Sequence, residues 1–244
     1  MKSKSPVSTP AVSPEVHEQL NELSAEDLVR WAFDQYDERA ALTTSFGIQS
    51  AVLLHMVTSV RPDAPIIWVD TGYLHKETYC YVRQLTQQLK LNLHVYQATT
   101  SPAYMEAIEG KLWESDKVDD LNRYDTMRKV EPLRRGLEEL DVQAWITGLR
   151  RDQTDHRATL PRVEPRAGRL KVYPLLSWTS KDVYEYRERH ELPHHPLFNQ
   201  GYATVGDWHS SRPMTGDDAH ERDTRFGGLK QECGIHFSGS GEGI

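Results

Sequence analysis

The chain alternates short apolar runs of strand length with amphipathic stretches of helix length, and this alternation limits the folds open to it. Runs that predict buried strands lie at 40–44, 66–69, 93–96, 144–147 and 171–173. Helical patterns lie between and after them, at 48–60, 77–89, 131–140 and 180–190. This order predicts an α/β fold, a parallel sheet with helices on both faces. Ligands in such folds bind at the carboxyl ends of the strands, where the strand order reverses.

The same patterns divide the chain into three parts. Residues 1–23 begin with a Ser- and Pro-rich stretch that lacks the apolar core of a signal peptide, and we expect a disordered tail there. Residues 24–193 form the predicted α/β domain; its first helix starts at Ser24, and its last is capped by Ser180. In residues 194–244, Gly and Pro break the periodicity repeatedly, which predicts an irregular segment without its own core.

Charge, hydropathy and cysteine content limit the partners and the cellular compartment that this chain is expected to have. The formal net charge is −7, so the chain lacks the broad positive field that a nucleic-acid binder needs. No apolar run approaches the ~20 residues that cross a bilayer, so we expect no membrane association. Two cysteines, Cys80 and Cys233, predict reduced thiols and a cytoplasmic protein rather than a disulfide framework. Cys80 lies in a predicted helix, where we expect a structural role.

Two of the turns that follow predicted strands suggest a nucleotide site. In Ser45-Phe46-Gly47, the start of a helix favours an anion, and Gly47 lets the backbone approach it closely. An ordinary strand-to-helix turn would explain the same residues. Asp70 ends the next strand, and its carboxylate can accept from a ribose hydroxyl or an adenine amino group. The alternative is that Asp70 caps an Asx-turn.

A third strand-end turn carries two arginines, and the end of the chain carries a candidate nucleophile. The guanidinium groups of Arg150 and Arg151 suit phosphate or sulfate, which they can bind in a bidentate manner, although a solvated charge pair would look the same. Cys233 lies near three groups that could lower its pKa, Arg225, Lys230 and His236, while the neighbouring Glu232 acts in the opposite direction. The alternative is an ordinary surface thiol.

Several histidines raise the question of a metal site. Together with Asp207 or Cys233, five of them could supply ligands: His190, His194, His195, His209 and His236. No Cys-x-x-Cys pair and no His-Glu-x-x-His helix accompanies them, so the sequence predicts no metal.

Five motifs, in order, strongly resemble those of the phosphoadenylyl-sulfate reductases of sulfate assimilation. They are Ser-Phe-Gly-Ile-Gln at 45–49, Asp-Thr-Gly-Tyr at 70–73, Lys-Val-Glu-Pro at 129–132, Gly-Leu-Arg-Arg-Asp-Gln at 148–153 and Glu-Cys-Gly-Ile-His at 232–236. The resemblance implies an adenine nucleotide α-hydrolase-like fold and a homodimer. It also implies the reduction of an activated sulfate to sulfite, with thioredoxin, or else glutaredoxin, as the electron donor.

The family has two branches, which differ in their cysteines. The branch that reduces adenylyl sulfate holds a 4Fe–4S cluster on four cysteines. The corresponding positions here carry no sulfur: they are Tyr124, Asp125, Asp207 and Ser210. Two cysteines also cannot supply four thiolates in one subunit. The chain therefore resembles the cluster-free branch, which needs no cofactor and whose usual substrate is 3′-phosphoadenylyl sulfate.

The resemblance also implies roles for individual residues. The Cys233 thiolate would attack the sulfonate sulfur and form an S-sulfocysteine, from which thioredoxin would release sulfite. Ser45, Phe46 and Gly47 would hold the adenosine side, with Asp70 beside them. The charge of the phosphosulfate and of the 3′-phosphate would be offset by cations from Lys129, Arg150, Arg151, Arg225 and His236.

Three alternatives stay open on the sequence. A cluster-free enzyme could accept adenylyl sulfate as well or instead. An ATP pyrophosphatase or nucleotidyltransferase of the same fold usually carries Ser-Gly-Gly-x-Asp in the first loop, where this chain has Phe46. A non-catalytic sensor would bind adenosine 3′,5′-bisphosphate without forming an adduct on Cys233.

Overall fold

A computed structural model describes residues 13–218 and 221–224, and its centre is a six-stranded sheet. The strands are β1 Ala40–Thr44, β2 Pro65–Val69, β3 Asn92–Tyr96, β4 Ala144–Ile146, β5 Val163–Arg166 and β6 Arg169–Val172. Their order across the sheet is β3-β2-β1-β4-β6-β5. β5 runs antiparallel to β6, and the other pairings are parallel.

The described α-helices are α1 Pro14–Glu22, α2 Ala25–Tyr36, α3 Ser50–Val60, α4 Lys76–Leu89, α5 Pro102–Glu109, α6 Val118–Asp125, α7 Glu131–Glu139, α8 Asp155–Ala158 and α9 Ser180–Arg189. A π-helical turn, Thr126–Val130, joins α6 to α7. Short 3₁₀ helices lie at Asp37–Arg39, Leu112–Glu114, Arg151–Gln153, Phe198–Gln200, Trp208–Ser210 and Glu221–Thr224. Among these described helices, none has the length and apolar character needed to span a bilayer.

Successive strand residues point to opposite faces of the sheet, and each face has its own core. Ala40 and Leu42 of β1 pack with residues of α2, α3, α4 and α9 in the larger core. Ala41, which lies between them, packs with α7 and with Trp145 of β4 in the smaller core. Helices therefore cover both faces of a mostly parallel sheet, which confirms the predicted α/β fold.

The strand order reverses between two neighbouring strands, β1 and β4. From β1 the chain adds β2 and β3 on one side, and from β4 it adds β6 and β5 on the other. The connections therefore leave in opposite directions, which opens a crevice at the carboxyl ends of β1 and β4. The sequence analysis predicts a ligand site in this crevice.

The structure differs from the sequence prediction at the start of the chain. A disordered tail was predicted over residues 14–22, but these residues form α1. Ser13 caps the helix and Pro14 occupies its first turn, two ordinary signals for a helix start. Leu20 is buried in the larger core, and Arg162 donates to backbone carbonyls at the C-terminal end of α1. The prediction was wrong here because these contacts depend on distant parts of the chain.

Smaller differences concern the second half of the molecule. The cap of α9 is Thr179 rather than the predicted Ser180, because Thr179 and Asp182 form a reciprocal capping box. The sequence did not predict β5, α5 or α6. Within the described part of 194–224, the helical elements are short 3₁₀ turns, and a small apolar cluster joins Leu197 and Val205 to Ile48 of the main domain.

Candidate active site

A cavity of about 280 Å³ lies at the carboxyl ends of β1, β2 and β4. Its walls come from the turns after these strands, from the π-helical turn before α7, and from the irregular segment after α9. The position at the reversal of strand order makes it the expected ligand site of this fold. The polar lining residues that matter below are Ser45, Thr71, Lys129, Arg150, Arg157 and Asp207.

The turn after β1 brings the start of α3 to the cavity. Ser45 and Gly47 line the cavity, and Ser50 Oγ donates to the Gly47 carbonyl at 2.8 Å. The positive end of the α3 dipole therefore lies at the cavity and favours an anionic group. Phe46 lies elsewhere: its φ is +49°, and its fully buried ring packs edge-on against Trp68 with centroids 5.6 Å apart. Its side chain belongs to the core rather than to the cavity lining.

The turn after β2 places Asp70 away from the cavity as well. Its carboxylate accepts from the Gly72 N–H at 2.9 Å, from the Tyr79 hydroxyl at 2.7 Å and from Gln97 Nε2 at 2.7 Å. The first of these bonds is the Asx-turn that the sequence left as an alternative. Thr71, the next residue, lines the cavity instead.

The turn after β4 and the start of α8 supply three lining residues, which we call the arginine cluster: Arg150, Gln153 and Arg157. Arg150 is buried, and its Nη1 donates to the Asp152 carboxylate at 2.8 Å and to the Ser180 hydroxyl at 3.2 Å. Gln153 Oε1 accepts from the Arg150 N–H and from the Arg157 guanidinium. One amide side chain therefore connects the two arginines.

Arg151 does not join this cluster, although it is the neighbour of Arg150. Its exposed side chain donates to the Leu160 carbonyl and lies outside the cavity lining. Arg150 has an extended backbone, with φ −127° and ψ 145°, whereas Arg151 begins a 3₁₀ turn, so the chain changes direction between them. Sequence reasoning missed Arg157, because Gln153 and Arg157 lie on either side of the extended residue Thr154 and no helical spacing links them.

The π-helical turn and the irregular segment meet in a second group, the lysine cluster, which comprises Lys129, Asp125 and Asp207. Lys129 Nζ lies 2.8 Å from Asp125 Oδ1 and 2.9 Å from Asp207 Oδ2. Lys129 and Asp207 line the cavity. Asp207 Oδ1 also accepts from the Thr71 hydroxyl at 2.5 Å, and Oδ2 accepts from the Tyr124 hydroxyl at 3.1 Å.

These contacts determine the protonation states of Asp207 and Tyr124. Burial alone would raise the pKa of Asp207, but the Lys129 ammonium and the Thr71 hydroxyl outweigh burial and hold this pKa below its usual range. Burial, with the Asp207 carboxylate beside it, raises the pKa of Tyr124, so that its hydroxyl stays protonated and donates. Asp207 is therefore ionised at neutral pH. Nothing in the sequence pattern marked it as part of the site.

The resemblance equates four positions with the iron–sulfur ligands of the other branch: Tyr124, Asp125, Asp207 and Ser210. They lie in the lysine cluster or beside it. Tyr124 and Asp125 meet Asp207 through the bonds just described, and the Ser210 N–H donates to the Asp207 carbonyl at 3.0 Å. These side chains offer oxygen rather than sulfur, and the Lys129 ammonium lies between two of them. The set does not fit an iron–sulfur cluster, which thiolates hold.

Three predicted site residues, Arg225, Cys233 and His236, lie outside the described residues. The described chain reaches Thr224, which is buried, and the Thr224 hydroxyl lies 3.1 Å from the hydroxyl of Thr204. Thr204 lines the cavity. Thr224, the last described residue before Cys233 in the sequence, therefore lies beside the cavity.

To bind a metal, the histidines named as candidate ligands would have to converge with one another or with Cys, Asp and Glu side chains. Over residues 13–218 and 221–224, no three His, Cys, Asp or Glu side chains converge as a metal site requires. His195 is fully buried; its Nδ1 accepts from the Leu197 N–H at 3.2 Å, and its Nε2 lies 3.1 Å from the Thr78 hydroxyl. Burial lowers the pKa of His195 to about 4, so this side chain is neutral at physiological pH.

The strand order and the helices on both faces define a doubly wound α/β protein with the adenine nucleotide α-hydrolase-like fold. A crystal structure of the phosphoadenylyl-sulfate reductase of Candida auris, a phosphate complex, matches with a TM-score of 0.72 and 33% identity, over 84% of this chain and 100% of that one. Candida glabrata FMN adenylyltransferase, with FMN and an ATP analogue, has a TM-score of 0.58 at 12% identity, over 84% and 74% of the two chains, and shares the fold.

Sequence comparison then gives the family. The model of the phosphoadenosine phosphosulfate reductase domain matches residues 39–213. The phosphoadenosine 5′-phosphosulfate reductase of a Synechococcus species is 56% identical over 231 residues, which are 93% of this chain and 100% of that one. The Xylella fastidiosa protein of the same name is 51% identical over 217 residues, 89% and 91% of the two chains. The chain belongs to the phosphoadenosine phosphosulfate reductase family, whose members are oxidoreductases that act on a sulfur group.

Proposed function

We propose that this chain reduces 3′-phosphoadenylyl sulfate to sulfite and adenosine 3′,5′-bisphosphate in assimilatory sulfate reduction, with reduced thioredoxin or glutaredoxin as the donor. The observation that carries the proposal is the cavity at the reversal of strand order, in a chain of this family, with the α3 N-terminus and buried cations in its lining. An anionic nucleotide suits such a lining because helix N-termini and guanidinium groups both favour phosphate.

The first step is a nucleophilic substitution at sulfur. The Cys233 thiolate attacks the sulfonate sulfur, a new S–S bond forms, and the bond from that sulfur to the bridging phosphate oxygen breaks. The leaving group is adenosine 3′,5′-bisphosphate, which takes the electron pair of the broken bond. Fixed cations such as Arg150 stabilise the charge that develops on this group.

The second step is an exchange at Cys233. A thioredoxin thiolate attacks Cys233 Sγ, and sulfite leaves with the electron pair of the S–S bond. The second thioredoxin thiol then resolves the mixed disulfide, which regenerates the Cys233 thiol and leaves oxidised thioredoxin. Two electrons thus pass from the dithiol to the sulfonate sulfur.

The start of the Cys233 segment makes this delivery feasible. Thr224 is anchored beside the lining residue Thr204, and Cys233 follows nine residues later. An extended chain spans roughly 3.3–3.6 Å per residue, so the thiol has a reach of about 30 Å. This length lets one cysteine meet the nucleotide and then a second protein.

The remaining parts of the proposal concern cofactor, assembly and compartment. No iron–sulfur cluster is used, since the four equivalent positions, Tyr124, Asp125, Asp207 and Ser210, carry oxygen and one of the two cysteines is needed as the nucleophile. The chain acts as a homodimer in the cytoplasm, where a dithiol donor is kept reduced.

The test is intact mass spectrometry after the protein is mixed with an activated sulfate and no thioredoxin. With 3′-phosphoadenylyl sulfate we expect a gain of one SO₃ unit that maps to Cys233 and disappears when reduced thioredoxin is added. Cys233→Ser should form no adduct and no sulfite while still binding adenosine 3′,5′-bisphosphate. Cys80→Ser, at the exposed thiol on α4, should behave like the wild type.

Each other outcome contradicts a different part of the proposal. Turnover by Cys233→Ser would remove this residue as the nucleophile. An adduct formed with adenylyl sulfate and not with the 3′-phosphorylated nucleotide would reassign the substrate. Hydrolysis of ATP that is independent of Cys233 would place the chain with the pyrophosphatases of the same fold.

A further inference from the structure

A buried carboxylate of the irregular segment, Asp207, contacts the domain through three different groups. Its side chain is 1% exposed, and it bonds to Lys129, Thr71 and Tyr124 within 3.1 Å. Its backbone forms an antiparallel bridge with Leu74, in the chain that follows β2. One residue thus joins the segment after α9 to the turn after β2 and to the π-helical turn.

We propose that Asp207 is a positioning residue, which fixes Lys129 and the adjacent segment 203–207 in the cavity lining. The proposal rests on the proposed function, because its effect is read out in the reduction of the nucleotide. Asp207 acts through Lys129: the ammonium is held between two carboxylates and therefore has one defined position at the wall. Residues 203–207 all line the cavity, so their placement sets its shape.

The charge of Asp207 argues against a direct role in binding the substrate. A carboxylate at the wall repels a polyanionic nucleotide, and a buried charge is screened much less than one in water. The ionised Asp207 carboxylate also offsets the Lys129 ammonium, so the lysine cluster offers no excess of positive charge. What the carboxylate supplies is geometry: it accepts from three donors that belong to separate parts of the chain.

The charge of Asp207 should weaken nucleotide binding, whereas its hydrogen bonds should support turnover. A variant that removes the charge therefore tests the proposal. Asp207→Asn keeps the size of the side chain and removes the charge. If Asp207 positions Lys129, kcat for sulfite formation should fall by about 10²-fold, the usual cost of a misplacement near 1 Å. KM and the dissociation constant of adenosine 3′,5′-bisphosphate should not rise, and both should fall to the extent that the lost charge repelled the nucleotide.

The matched control is Asp217→Asn, the same chemical change at an exposed position of the same irregular segment. We expect no change in kcat or KM for this variant. An unchanged kcat in Asp207→Asn would overturn the proposal. So would a raised KM with kcat unchanged, because that pattern would make Asp207 a ground-state binding group.

A double-mutant cycle tests whether Asp207 acts through Lys129. The Asp207→Asn change should lower kcat in the wild-type background and have little further effect when Lys129 is already replaced by Met. An equal loss in both backgrounds would contradict the proposal. Because Lys129→Met leaves two buried carboxylates without their ammonium, Thr71→Val serves as the second variant. It removes one bond to Asp207 and should lower kcat less, again with KM unchanged.

The design also separates this proposal from the proposed function. Wild-type protein that makes no sulfite from 3′-phosphoadenylyl sulfate would refute the function itself. Wild-type protein that does make sulfite, together with an equally active Asp207→Asn, would refute the positioning role alone.

Discussion

The arginine cluster and the lysine cluster line the same cavity, but their counter-charges differ in exposure. The partner carboxylates of Lys129, Asp125 and Asp207, are each 1% exposed. The partners of Arg150, Asp152 and Glu221, are 43% and 29% exposed. The counter-charges of the lysine cluster are therefore buried, whereas those of Arg150 are partly exposed to solvent.

This difference assigns different tasks to the two clusters. Water screens a partly exposed carboxylate and lets it move away, so Asp152 and Glu221 cancel only part of the Arg150 charge. The buried carboxylates stay in place, and the ionised Asp207 carboxylate offsets the Lys129 charge. The arginine cluster should then provide most of the attraction for an anionic ligand, and the lysine cluster should keep the wall in one geometry.

The largest effect should follow the loss of Arg150. In Arg150→Ala we expect the rate of sulfite formation to fall by about 10²–10³-fold, as for the loss of one donor that stabilises transition-state charge. The measurement is steady-state sulfite release from 3′-phosphoadenylyl sulfate with reduced thioredoxin. Thermal unfolding of the variant checks that the protein still folds, since Arg150 is buried. An unchanged rate in a folded variant would remove Arg150 from the site.

A smaller loss is expected at Arg157. Hydrogen bonds to charged groups contribute about 1.5–3 kcal/mol, so Arg157→Ala should weaken the binding of adenosine 3′,5′-bisphosphate by roughly 10- to 100-fold. Calorimetric titration measures this affinity. Arg134→Ala is the control, because Arg134 is half-exposed on α7 and pairs with Glu138. Equal affinities for the two variants would mean that Arg157 supports the turn without contacting the ligand.

The lysine cluster should make the free energy of unfolding depend on pH in the acid range. The pKa of Asp207 is lowered in the folded protein, so the unfolded chain takes up its proton first as the pH falls. The ionised carboxylate therefore contributes to stability above its ordinary pKa of about 3.9, and this contribution is lost below that pH. We expect the wild type to exceed Asp207→Asn in free energy of unfolding at pH 7, with the gap shrinking below about pH 4.

Urea unfolding followed by tryptophan fluorescence at a series of pH values measures this gap. A gap of the same size at pH 7 and in acid would mean that the ionised form of Asp207 gains nothing from Lys129. Such a result would contradict the difference proposed between the two clusters, because Asp207 would then not be an ionised partner of Lys129.

The sequence predicted the sheet and the location of the cavity well, because both depend on local patterns. The apolar runs, the turn residues after them and the helical spacing between them are short-range signals. Ser45, Gly47, Lys129 and Arg150 were predicted and do line the cavity. The helix α1 was missed because its stability depends on burial of Leu20 by distant residues.

The rest of the site depends on contacts that no local pattern records. Asp70 was predicted to contact the nucleotide, but it accepts from Tyr79 and Gln97, nine and 27 residues away. Asp207 was noted only as a candidate metal ligand and as a position without sulfur, since its partners Thr71, Tyr124 and Lys129 lie about 80 or more residues earlier. The sequence also could not tell which of two adjacent arginines faces the cavity, because that depends on where the 3₁₀ turn begins.

The smallest effect should therefore come from Arg151→Ala. Its side chain is exposed and its guanidinium meets only a backbone carbonyl among the described residues, that of Leu160. Substitutions at such surface positions usually change the free energy by no more than about 0.5 kcal/mol, so the rate and the affinity should stay within about threefold of the wild type. The same assays that follow Arg150→Ala measure both quantities. A loss as large as that of Arg150→Ala would mean that Arg151 turns toward the ligand when it binds, and that the charge at this wall comes from both arginines rather than from one.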